Sequence, residues 1–135
     1  MGCDIHLHTE IKINGTWHHY SHPDIGRCYS LFEKMAGVRG DPENAIDGPR
    51  GLPHDITLIT QIDAERWEGD GHSHSYFDAE EIQILFKWIE HAPEDDRWES
   101  RYQFGYPFGK GWNLEDLKDL DVGIENIRFV FWFDN

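Results

Sequence analysis

The residues from Cys3 to Ile13 alternate so regularly that they leave the chain little choice of conformation. Ile5, Leu7, Thr9, Ile11 and Ile13 fall on one side, and Asp4, His6, His8, Glu10 and Lys12 on the other. A period of two is that of a β-strand with one face against a core. Asn14-Gly15 follows directly, the pair that most readily takes the positive φ angles of a two-residue hairpin turn. Thr16 to Tyr20 then reads as the returning strand. A chain that begins this way has to find a core for one face of an antiparallel sheet.

The C-terminus offers a matching strand, in which Ile127, Phe129, Phe131 and Phe133 share a side opposite Arg128, Val130 and Trp132. Between the two, Ser30 to Ala36 predicts a short helix with Leu31, Phe32 and Met35 inward and Gly37 ending it. Residues 37–54, with four glycines and three prolines, predict a long loop. Asp55 is expected to cap a helix reaching about Trp67, with Ile56, Ile59 and Ile62 as its inner stripe. Asp70 to Phe77 reads as a turn and a short extended piece. Asp78 with Glu81 forms a capping box for a helix that buries Ile82, Leu85, Phe86 and Ile89 and stops before Pro93. Residues 94–113, aromatic and Gly-rich, predict an ordered surface segment, and Leu114 to Leu120 a helical turn or two. No repeat, low-complexity tract or Ser/Gly linker divides the 135 residues. The expectation is one domain over residues 1–135, of the α+β class. Its small antiparallel sheet, the N-terminal hairpin plus the C-terminal strand, is covered by two or three helices.

Charge narrows the partners. The chain carries 12 Lys+Arg against 26 Asp+Glu, a formal net charge of −14. A protein that tracks a nucleic-acid backbone needs a basic face, so no long nucleic acid is expected. No apolar run approaches the roughly 20 residues of a membrane span, and the start lacks the basic and apolar regions of a signal peptide. No membrane partner and a cytoplasmic location are therefore expected. Two cysteines, Cys3 and Cys28, are too few for a disulfide scaffold. The acid is unevenly spread: residues 1–60 have a net charge of −3 and six of the nine histidines, and residues 61–135 have −11. A small anion has its best chance in the first part.

Two groups of residues can carry chemistry. Asp4, His6 and His8 share a strand face, and a second His-x-His follows at His72 and His74, flanked by Asp70, Ser73 and Ser75, with Tyr76 next. Imidazole beside carboxylate suits general acid–base work and a divalent metal equally. Neither pair brings further ligands at a zinc spacing, so no metal ligand is assigned, and the cofactor stays open between none and a divalent metal. Arg27, Arg39 and Arg50 each adjoin a glycine in a loop, and guanidinium groups grip phosphate through paired hydrogen bonds. The plain alternative for each arginine is a salt bridge to the chain's own acids. Six Trp, five Tyr and eight Phe exceed the needs of the core stripes. Aromatics of this kind serve as stacking platforms for a nucleobase or as a subunit interface in a homo-oligomer.

The start Met1-Gly2-Cys3-Asp4-Ile5-His6, the run Arg27-Cys28-Tyr29-Ser30-Leu31-Phe32 with Ala36-Gly37-Val38-Arg39, the turn Pro49-Arg50-Gly51-Leu52-Pro53 and the segment Asp70-Gly71-His72-Ser73-His74-Ser75 resemble a family of small bacteriophage proteins. The resemblance covers about residues 1–90 and implies a phage protein working in a bacterial host. In general character such a protein is similar to counter-defence proteins that remove nucleotide-derived immune signals. The resulting expectation is a pocket where Arg27, Arg39, Arg50, Ser73, Ser75 and Tyr76 hold a cyclic dinucleotide or ADP-ribose derivative. There His6 and His72 act as base and acid with Asp4 orienting an imidazole, and the phosphodiester is cleaved. The alternatives are a non-catalytic sponge for the same ligand and an acidic inhibitor that mimics nucleic acid towards a protein partner.

Overall fold

The computed structural model describes residues 2–91 and 114–135; the surface segment expected at 94–113 lies outside them. The N-terminal alternation becomes strand β1 (Asp4–Ile13), which turns through Asn14 and Gly15, at φ 51° and 79°, into β2 (Thr16–Ser21). The C-terminal alternation becomes β4 (Ile127–Asp134), which enters beside β1 rather than at an edge. Gly71–Phe77 forms β3 on its far side, so the sheet is four-stranded and antiparallel in the order β2-β1-β4-β3. With the helices α1 (Tyr29–Ala36), α2 (Leu58–Arg66) and α3 (Ala79–His91) the architecture is α+β, as the sequence predicts. A short α4 (Leu114–Lys118) precedes β4. No helix among the described residues is long and apolar enough to cross a membrane.

The core lies on the face of Ile5, Leu7, Phe129, Phe131 and Phe133, against Leu31, Phe32 and Met35 of α1 and Ile82, Leu85 and Ile89 of α3. Phe32 meets Phe133 with ring centroids 5.1 Å apart, and Phe77 meets Phe131 at 4.9 Å. Gly37 ends α1 in the left-handed conformation at φ 76°, its N–H donating to the Glu33 carbonyl. Asp78 and Glu81 exchange side-chain and backbone hydrogen bonds of 3.0 and 3.1 Å, the capping box expected at the start of α3.

The opposite face of the sheet departs from expectation. Alternation predicts a solvated face for Asp4, His6, His8 and Glu10, yet His8 and Glu10 are buried and every residue of β4 is buried. The cover is α2, which begins at Leu58 with Thr57 as N-cap, later than the expected Asp55. Its inner side is polar. Thr57 and Thr60 donate to Glu10 Oε2, and Arg128 donates to Glu10 Oε1 at 2.7 Å and to Asp55 at 2.7 Å. With Thr60, Asp63 and Ala64 facing the sheet, the 3.6-residue period turns the expected inner stripe outward. Leu58, Ile59 and Ile62 are 69, 56 and 46% exposed. Buried hydrogen bonds to a buried carboxylate, each costly to leave unmade, outweigh the apolar gain of the other orientation.

Candidate functional site

Beneath α2 the sheet carries a layer of rings. His6 stacks on Trp132 at 5.7 Å between centroids and packs against Trp67 at 4.3 Å; His8 lies 5.5 Å from Trp132 and 4.0 Å from His22. His74, displaced by a bulge in β3, stacks on the other side of Trp132 at 5.9 Å. Strand alternation supplies His6 and His8, the returning strand supplies His19, and the chain leaving β2 supplies His22 just before Pro23. The indole N–H of Trp132 is buried with no acceptor among the described residues. The layer thus holds one donor that a water or ligand oxygen could satisfy.

Carboxylates thread this layer. His6 Nε2 donates to Asp134 at 2.5 Å, and His8 Nε2 donates to Asp63 at 2.8 Å while its Nδ1 accepts from His19 Nε2 at 2.9 Å. His22 Nε2 lies 3.9 Å from the same Asp63 oxygen. Burial pushes the His8 pKa down to about 4, against the pull of Asp63, so its ring is neutral at pH 7. Burial likewise lowers His19, His22 and His74. Donor atoms of His6, His22 and Asp63 all fall within 4.8 Å of one another.

Two clefts meet at His22. One, of about 420 Å³, is lined by His6, His22 and Trp67 with the carboxylates of Asp4, Asp24 and Asp134. The other, of about 350 Å³, is lined by His22 and Asp63 with Arg66 and the outward side chains Ile59 and Ile62. The cluster is therefore reached from solvent on both sides, with an acidic wall on one and a guanidinium on the other.

The residues singled out by sequence are distributed differently. Asp4 and His6 share the first cleft, but Asp134 is the carboxylate on His6; Asp4 instead takes both 2.9 and 3.0 Å hydrogen bonds from Arg27, which holds its carboxyl below the usual range. His72 pairs in register with Phe133, on the opposite face of the sheet from His6, and bonds Ser73 and Asn135. The structure does not bring His6 and His72 together. Arg39 stacks over Tyr29 at 5.1 Å, beside the buried Cys3 thiol, whose pKa burial raises. Arg50 donates to the Tyr76 carbonyl and to Glu81 and lies 4.5 Å over the Tyr76 ring, while its backbone N–H donates to Ser75 Oγ at 3.2 Å. Arg50, Ser75 and Tyr76 thus fasten the loop to β3, whereas Arg27 and Arg39 both lie near Cys3 and Tyr29, so the three arginines do not meet in one pocket. His22, Asp63, Asp134 and Arg66 escaped the sequence reading. A histidine between a strand end and a proline was the one local signal for any of them.

No protein-family model matches the chain, nor does any curated protein or any solved structure.

Proposed function

We propose that the chain is a hydrolase of a small phosphodiester, working at the cluster of His6, His22, Asp63 and Asp134. The observation that carries this reading is the position of His22 beside Asp63, where two clefts meet and Arg66 lines one of them. A hydrolytic site needs a group to take a proton from water, donors for the phosphate charge, and room for the rest of the ligand. The carboxylate–imidazole cluster, with Asp134 bonded behind His6, supplies the first, Arg66 the second, and Ile59 and Ile62 an apolar wall for the third. In the step itself the cluster takes a proton from water and the hydroxide oxygen bonds to phosphorus. The P–O ester bond breaks, and the departing oxygen leaves with a proton returned by the cluster.

Relative to the sequence expectation, the phosphate grip moves from Arg27, Arg39 and Arg50 to Arg66, and the reacting centre from His6 and His72 to the cluster around His6 and His22. Cyclic dinucleotides and ADP-ribose derivatives remain the substrates to try first, in keeping with the phage-like N-terminal motifs. Incubation with a panel of these compounds followed by chromatography tests the proposal. Conversion to ring-opened or monophosphate products is expected. Ligands that are depleted but recovered intact on denaturation would replace hydrolysis with capture, and ligands untouched and unbound would end the proposal.

A further inference from the structure

We infer that His6, His22 and Asp63 form a binding site for one divalent first-row transition-metal cation of the zinc or cobalt type. As to its role this rests on the hydrolytic reading above; as to its existence it rests on geometry. The three donors come from three separate pieces of chain, β1, the segment after β2, and α2, and converge within 4.8 Å. A tetrahedral cation with bonds of about 2.1 Å needs donors roughly 3.4 Å apart. His22 and Asp63, at 3.9 Å, are within about half an ångström of that spacing.

Outer contacts complete the pattern. Asp134 engages one ring nitrogen of His6, and His8 donates to the Asp63 carboxylate. Metal ligands are characteristically fixed in this way by hydrogen bonds from behind, which set the tautomer and orient the donor. The electrostatics agree: Asp24 and Asp134 line the adjoining cleft beside Asp4, which Arg27 already pairs, and their carboxylates repel an anionic ligand until a cation offsets them.

The donor set selects the class of ion. Two imidazoles and one carboxylate suit borderline cations, whereas magnesium and calcium take oxygen ligands almost exclusively. Three protein ligands leave a position for water, the arrangement of catalytic rather than structural zinc sites. A cation there would bring the pKa of its water to about 7 and receive a phosphoryl oxygen. His72 and His74, the other His-x-His, provide no such set: His72 lies on the far face of the sheet, bonded to Ser73 and Asn135.

Titration of chelator-treated protein with Zn²⁺ by calorimetry, and with Co²⁺ by visible absorption, tests the inference. One equivalent per chain is expected, with cobalt bands of a low-coordinate site. His22→Ala and Asp63→Asn should each weaken binding at least tenfold, and His72→Ala should leave it within twofold. His22 is half-exposed, so its variant tests the site without disturbing the core. Absence of a stoichiometric site, or binding that His22→Ala and Asp63→Asn leave unchanged, would overturn the inference. Stoichiometric metal without hydrolysis of any phosphodiester would keep the site and remove the proposed function. Equal hydrolysis before and after chelation, with no metal bound, would do the reverse.

Discussion

His8 on β1 donates a 2.8 Å hydrogen bond to Asp63 on α2, 55 residues away, and this contact ties the helix to the ring layer beneath it. Because the imidazole is buried and neutral, the bond joins an uncharged donor to a carboxylate and depends on pH. The protonation state of His8 is therefore read out in stability as well as in geometry.

For His8 the folded pKa is about 4 and the unfolded value 6.5. Between those values the unfolded chain binds the extra proton, so stability rises with pH and is lost as pH falls from 6.5 towards 4. From pH 7.5 to pH 5 the loss from His8 is on the order of 2 kcal/mol. His19, His22 and His74, lowered by burial too, add in the same direction. Urea unfolding with chelator present should show this slope, and His8→Gln should flatten it. An unchanged slope in His8→Gln would contradict the assignment.

Glu10 is buried, with Arg128 on one oxygen and Thr57 and Thr60 on the other. Glu10→Ala leaves Arg128 without its buried partner and is expected to cost about 3–5 kcal/mol. Removing both charges, as in Glu10→Leu with Arg128→Met, should cost less than the sum of the single changes. Denaturant unfolding of the four proteins in this cycle checks it; strict additivity would mean that the two groups are not coupled.

The orientation of α2 predicts a contrast in stability. Ile62→Ser, on its outward side, should change unfolding free energy by no more than about 0.5 kcal/mol. Ile82→Ala, in the core under α3, should cost about 2–5 kcal/mol. A large loss from Ile62→Ser would restore the inward stripe that the sequence suggested.

Much of the fold was legible because strand and cap signals are local. The alternation of β1 and β4, the Asn14-Gly15 turn and the Asp78–Glu81 box each act within a few residues and appear as read. The face of α2 was not legible, because Ile56, Ile59 and Ile62 form a good apolar stripe and nothing nearby reveals that the surface below is Glu10 and His8. The site was illegible for a related reason: His6 meets Asp134 from 128 residues away, and Asp63 reaches the cluster only once α2 lies over the sheet. Arg27 and Arg50 looked available because their partners Asp4 and Glu81 are 23 and 31 residues distant.

The arginines separate the two pictures of phosphate binding. Arg27 pairs with Asp4 at the exposed surface, where screening by water leaves an ion pair little to contribute, so Arg27→Ala should leave stability nearly unchanged and kcat/KM within twofold. Arg66→Ala should lower kcat/KM at least tenfold, mainly through KM. Steady-state kinetics on whichever phosphodiester is hydrolysed checks both, and a reversed order would return the phosphate grip to the arginine loops.

The most direct measurement compares single-turnover hydrolysis by the wild-type protein, His22→Ala and His72→Ala, each confirmed folded by its circular dichroism. The rate should fall at least a hundredfold in His22→Ala and less than twofold in His72→Ala. Full activity in His22→Ala, or its loss in His72→Ala, would contradict a catalytic centre under α2.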